Sequence, residues 1–235
     1  MSPHRHRIVS AGVDVILGML PELLDPAEGW ALMGGTALAE YYLGHRQSED
    51  LDLFTLADGA VAGLSARFTA AAPAGGGRVE TQVVSPTLRY LWVQLPDGER
   101  VKVELIQDAP PRFEQPMLVD GVPVASLTDI AVGKLGAFVT RDEPRDLIDL
   151  WGIERLAGTP LVGYYPFLFE TNSGLAAYPQ AVAEAWHRHA RRRFSAPLIL
   201  HIQPDVELRT FCEDQQRALV GFLRDRALEP PATDT

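Results

Sequence analysis

The segment GGTALAEYYLGHRQSEDLDLF, Gly34 to Phe54, constrains this chain more than any other. It is preceded by the short apolar run Trp30-Ala31-Leu32-Met33, which reads as a buried strand ending at Gly34-Gly35. Thr36 is placed to cap a following helix, and Leu38, Tyr41 and Tyr42 have helical spacing. Leu51 to Phe54 reads as a second strand. The order is therefore strand, glycine turn, helix, strand. On a strand, residues i and i+2 share a face, so Asp50 and Asp52 emerge together while Leu51 and Leu53 point the other way. Two carboxylates this close repel unless a cation lies between them. Magnesium favours oxygen ligands and is commonly held by one or two carboxylates plus substrate phosphates. A strand ending in Gly-Gly ahead of a helix offers backbone N–H groups to such a phosphate. An acid-x-acid pattern alone is usually a solvated strand face, and a Gly-Gly turn alone says little. Their combination in this order points to a phosphate and a metal held in one cleft.

The rest of the chain supplies further parts. A first helix is expected over about 6–24, on the periodicity of Ile8, Val13, Ile16, Leu17, Leu20 and Leu24. A helix over about 58–72 ends at Pro73 and the Gly75-Gly76-Gly77 turn. Strands follow at Val79–Val84, Arg89–Leu95 and Val101–Ile106, with Asp97-Gly98 as a hairpin signal, and Val122-Pro123-Val124 reads as a short edge strand. Val101 to Leu105 alternates, so Lys102 and Glu104 share a face. If this strand lies beside the Asp50–Asp52 strand, Glu104 completes a three-carboxylate cluster for two metals. Beyond Ser126 the pattern is helical. Ser126 to Asp129 forms a capping signal, Lys134 interrupts the apolar face of Ile130 and Phe138, and Pro144 suits a helix start. Asp146 and Asp149 are three apart and so neighbours on one helix face, with Arg141 and Arg145 as candidate partners or phosphate contacts. Three more helices are expected over about 160–226. The reading is an α/β (α+β) fold with a mixed sheet flanked by helices: a catalytic domain over 1–125, a helical domain over 126–228 and a disordered tail over 229–235.

Composition limits the function. The chain has 235 residues and a net charge of −10, which argues against non-specific coating of nucleic acid. The run His187-Arg188-His189-Ala190-Arg191-Arg192-Arg193 is its strongest basic cluster, either a solvated helix end or a docking surface for RNA phosphates. The single cysteine, Cys212, excludes an internal disulfide and a multi-cysteine zinc site. Asp14 interrupts the apolar run near the N-terminus, so a signal peptide is not expected, and no stretch approaches the ~20 apolar residues of a membrane span. A cytoplasmic protein that uses no membrane is the expectation.

The GGTAL and HRQSEDLDLF blocks resemble the signature of the AbiEii/AbiGii-type nucleotidyltransferases, within the polymerase-beta-like superfamily. Lys134-Leu135-Gly136-Ala137-Phe138, Arg141 and Arg145 to Leu150 are similar to that family's lysine motif and its D-x-x-D motif. The resemblance covers about residues 30–155, and the third acid departs from it, being Glu104 where Asp is usual. It implies the nucleotidyltransferase fold and magnesium-dependent transfer of NMP from an NTP to an acceptor hydroxyl. The expected ligands of two Mg2+ ions are Asp50, Asp52 and Glu104, with Lys134 and Asp149 also catalytic. Gly34, Gly35, Thr36, Ser48, Lys134 and Asp146 would contact the nucleotide. The implied role is the toxin of a bacterial toxin–antitoxin or phage-defence pair acting on the tRNA acceptor end, with a cognate antitoxin as partner. Two alternatives stay open: transfer to a small molecule of aminoglycoside type or to a protein, and a degenerate relative that only binds.

Overall fold

The computed structural model describes residues 1–74, 76–108, 112–141, 143–191 and 204–228. The expected tail over 229–235, together with Arg192 and Arg193 of the basic run, lies outside the described residues. The described residues form two compact units that divide after Ile130.

The first unit is built on a mixed sheet. Its strands are β1 (Ala31–Met33), β2 (Asp50–Thr55), β3 (Arg78–Ser85), β4 (Leu88–Gln94), β5 (Arg100–Gln107), β6 (Met117–Val119) and β7 (Val122–Val124). Among the described residues the sheet order is β3-β4-β5-β2-β1-β7-β6. β2 runs parallel to β5 and β1 parallel to β7, while the remaining neighbours are antiparallel. Alternation sets its two faces. Leu51, Leu53, Leu91, Val93, Val101, Val103 and Leu105 are buried on one side, and the residues between them reach the other.

Helices α1 (Ala11–Leu23), α2 (Gly34–Leu38) and α3 (Ala60–Ala74) belong to this unit. α1 begins later than its apolar periodicity suggests, because Ser10 caps it by accepting a hydrogen bond from Val13 N. The carboxylate of Glu99 also sits on the new helix start, accepting from Ser10 Oγ at 2.6 Å and Gly12 N at 2.9 Å. Residues ahead of the cap form an extended strap instead of a helical turn. Arg5 Nε, Arg7 N and Ile8 N all donate to the buried carboxylate of Glu40, at 2.8, 3.0 and 2.9 Å. Glu40 lies in a π-type turn, Ala39–Leu43, that continues α2. α3 runs to Ala74, past Pro73, which in the last turn forfeits a single helical hydrogen bond.

Two strand assignments change. Val122–Val124 is interior to the sheet, between β1 and β6, and the edge strand is Met117–Val119, too short to show alternation. Pro123 is tolerated there because the register with β1 is confined to Leu32↔Val124.

The second unit holds α4 from Ala131 onward (the whole helix is Leu127–Thr140), α5 (Pro144–Arg155), α6 (Tyr165–Thr171), α7 (Ser173–Ala177), α8 (Gln180–Ala190) and α9 (Pro204–Leu228). Where three helices are expected beyond residue 160, four are found among the described residues, since Asn172 caps α7 and so breaks one apolar stretch into two helices. Its core is aromatic. Trp186 lies tilted against Phe138 with ring centres 4.3 Å apart, meets Phe211 edge-on at 5.7 Å and donates its indole N–H to Tyr165 at 3.1 Å. No helix among the described residues is long and apolar enough to cross a membrane.

Cys212 lies in this core, 1% exposed, and burial pushes its thiol up to about 12. The thiolate is the reactive form. Folded protein at pH 8 is therefore expected to react with a thiol reagent such as DTNB only as fast as it unfolds, and full labelling within the mixing time would contradict this packing.

Candidate functional site

β2 presents Asp50 and Asp52 on the face opposite the buried Leu51 and Leu53, both part-exposed. Its neighbours bring the other candidates to the same face. The antiparallel register pairs Asp52 with Met33, the last residue of β1, so Gly34 follows directly beside that carboxylate. The parallel register on the other side pairs Asp52 with Glu104 and Asp50 with Lys102. The condition on which Glu104 could join the acids, adjacency of its strand to theirs, is met.

Glycine at position 34 has two physical causes. Its φ is +68°, a conformation that side chains disfavour, and a Cβ there would lie 1.8 Å from Asp52 Oδ2. The backbone turns against the carboxylate because nothing stands between them. Gly35 faces the other way, and a Cβ on it would lie 2.4 Å from Arg46 Nη2 and 3.0 Å from Ser48 Oγ. Ser48 is thus next to the glycine turn. Arg46, which the pattern of glycines and acids does not single out, is 3% exposed and donates from Nη1 to Gln47 O at 2.8 Å. The only sign of it in the sequence is a cation just ahead of the acid strand.

Thr36 does not cap α2. The N-cap is Met33, which has no side-chain cap bond, and Thr36 sits in the first turn, fully buried, donating its hydroxyl to Asp50 O. This bond ties the glycine turn to the start of β2. It also engages the Thr36 hydroxyl within the fold.

Glu104 forms an ion pair with Lys102. Burial opposes the charge on Lys102, but the hydrogen bond to Glu104, with Asp50 and Tyr90 nearby, outweighs it and holds the amine above its ordinary value. Among the described residues no three His, Cys, Asp or Glu side chains are gathered closely enough to hold a metal ion. What stands ready is a pair of hard oxygen donors on one strand, with a third carboxylate in register on the next strand and turned to a lysine. The donor set suits Mg2+, and the absence of a side chain at Gly34 brings the main chain directly against the Asp52 carboxylate.

The second unit holds its own charged cluster. Lys134 Nζ lies 2.6 Å from Asp149 Oδ2 and 3.3 Å from Asp146 Oδ1. Arg141 reaches Asp146 through Nε at 2.7 Å and Nη2 at 2.9 Å, a two-pronged grip. Both aspartates are fully buried and Lys134 nearly so; it does not snorkel to solvent. The cluster fastens α4 to α5. Arg145 is exposed. On α8 and its C-cap, His187, Arg188 and Arg191 are exposed, but His189 is buried against Phe138 at 4.4 Å and is no part of a basic surface.

Residues 22–230 match the family described as nucleotidyl transferase AbiEii toxin, type IV TA system. No curated protein matches the chain. Among solved structures it is similar to JHP933 from Helicobacter pylori, at 16% identity and a TM-score of 0.54, covering 92% of this chain and 91% of that one. It is also similar to MenT4, a nucleotidyltransferase toxin of Mycobacterium tuberculosis H37Rv, at 18% identity and a TM-score of 0.56, covering 91% and 82%. At these identities the likeness establishes the fold alone.

The packing at Gly34 predicts opposite signs for two glycine substitutions. Gly34→Ala should lower stability by about 2 kcal/mol or more, since it combines a strained φ with an overlap on Asp52. Gly133→Ala, on the exposed side of α4 with nothing within 4 Å of its Cβ, should raise stability by roughly 0.5–1 kcal/mol. Urea unfolding of the two variants measures both, and equal effects would contradict the geometry.

Proposed function

The chain belongs to the AbiEii nucleotidyltransferase toxin family, and on that premise we propose that it transfers NMP from an NTP to an acceptor hydroxyl, releasing pyrophosphate. The observation that carries the reading is the double register of β2, which sets Asp52 between Gly34 on one side and Glu104 on the other. Asp50 and Asp52 would hold Mg2+, with Glu104 joining them once it leaves Lys102. The metal would supply charge neutralisation at the phosphates and at the attacking and leaving oxygens. The residues of the chain do the positioning on which such a displacement depends.

Main-chain N–H groups of Gly34, Gly35 and Thr36 bind the triphosphate, and the Ser48 hydroxyl adds a hydrogen bond beside Gly35. Thr36 keeps the turn and the acid strand in fixed relation through Asp50 O. Glu104 accepts the proton of the acceptor hydroxyl as that oxygen becomes a nucleophile. The family resemblance assigns Lys134 to a phosphate oxygen, and within its own unit the amine is held by Asp149 and Asp146. Asp146 and Asp149 act by aiming that lysine.

The acceptor we propose is the tRNA acceptor end, and the biological role is that of a cytoplasmic toxin with a cognate antitoxin. Both follow from the family resemblance. The experiment is label transfer: purified protein with Mg2+, each α-labelled NTP in turn and total bacterial tRNA, beside Asp52→Asn. Label on tRNA that falls to background in the variant is the expected result. Label on no RNA, with NTP binding intact, would move the acceptor to a small molecule or a protein. The absence of both would overturn the reading in favour of a binding protein on a retained fold.

A further inference from the structure

We infer that the sheet face continuing from the acids across β5, β4 and β3 is a stacking platform for a single-stranded polynucleotide, delivering its terminal hydroxyl to Asp50, Asp52 and Glu104. This rests on the nucleotidyl-transfer reading and deepens it by naming where the acceptor strand lies.

The face follows from the registers. Asp52 pairs with Glu104 and Glu104 with Tyr90, while Asp50 pairs with Lys102 and Lys102 with Trp92. Residues directly paired across strands share a face, so Tyr90 and Trp92 stand two strands away from the acids on their own side of the sheet. Leu91 and Val93, between and beyond them, are buried on the opposite side. Trp92 is 37% exposed, a large indole left partly in water.

Cations are interleaved with these rings. The Arg100 guanidinium lies 5.3 Å from the centre of the Trp92 ring, and the Lys102 amine 4.5 Å from the centre of the Tyr90 ring. Lys102 is paired with Glu104, and farther out this face carries Arg78 and Arg100 against one acid, Glu80, which pairs with both arginines. The outer part of this face is thus cationic by one charge in a chain of net charge −10. Aromatic rings with cations beside them are the combination that takes up single strands: bases stack on the rings and phosphates meet the cations. A duplex would present its bases already stacked on one another and gain nothing from the rings. A protein partner would not call for cations alternating with ring faces along the approach to the acids.

The test is binding of a fluorescein-labelled single-stranded RNA of about eight nucleotides, within the usual site size for such platforms, to the full chain with Mg2+ and no NTP. Fluorescence anisotropy reads it at several salt concentrations. Trp92→Ala should weaken binding by roughly five- to a hundred-fold, the range expected for one lost base stack, and Trp92→Phe should restore most of it. Arg100→Ala should reduce the slope of log affinity against log salt by about 0.7, one phosphate contact on a single strand. Thermal-shift detection of NTP binding should be unchanged in all three variants. The platform is overturned if Trp92→Ala binds the RNA as wild type does, or if wild type binds NTP but not the RNA. Wild type that binds neither overturns the nucleotidyl-transfer reading, and the platform with it.

Discussion

A side chain at position 34 and the carboxylate of Asp52 would occupy the same space. The chain resolves this by having no side chain there, and by a left-handed backbone that glycine alone adopts without strain. The remaining geometry of the first unit is arranged to keep that approach. β1 ends opposite Asp52, so the turn begins where the carboxylate stands. Thr36, one residue into the helix beyond Gly35, bonds the start of β2 and closes the loop between the two elements. On the far side of the turn, Arg46 and Ser48 fill the space next to Gly35. The result is a strip of main chain lying along a pair of carboxylates, an arrangement suited to a triphosphate whose charge is balanced by a metal.

The hydrophobic pattern makes this possible. Leu51 and Leu53 are completely buried, and their burial forces Asp50 and Asp52 to the opposite side of the same strand. A shift of one residue in the pairing of β2 would bury both acids and expose both leucines, so the core itself specifies which face carries the charge. The same logic runs through β5, where Val101, Val103 and Leu105 anchor the strand and leave Lys102 and Glu104 on the side of the acids. Glu40 supports the helical side of the loop from beneath, holding the N-terminal strap with three hydrogen bonds to its carboxylate.

Much of this is legible in the sequence because it rests on short-range rules. Alternation places both acids on one face, the glycine pair marks a close approach, and Ser126 caps α4 by accepting from Asp129 N at 3.0 Å. What is not legible depends on partners distant in the chain. Nothing near Thr36 indicates that its hydroxyl turns to Asp50 O instead of capping its helix. Residues 6–10 carry on the apolar spacing of α1, yet the carboxylate of Glu40 draws their N–H groups out of any helix. Val122–Val124 looks like an edge because it contains proline, and lies inside the sheet because a still shorter strand covers it. Lys134 reads as a cation in an apolar face; only the fold reveals that two buried aspartates and an arginine define its surroundings.

The central claim is that Asp50 and Asp52 hold a divalent ion against a triphosphate resting on the Gly34–Thr36 main chain. Crystals grown with Mn2+ and a non-hydrolysable NTP, measured for anomalous scattering from manganese, test this most directly. The account predicts a manganese peak coordinated by carboxylate oxygens of both aspartates, with the β- and γ-phosphates against the Gly34–Thr36 main chain. Manganese bound elsewhere, or a nucleotide whose phosphates make no contact with that turn, would contradict it.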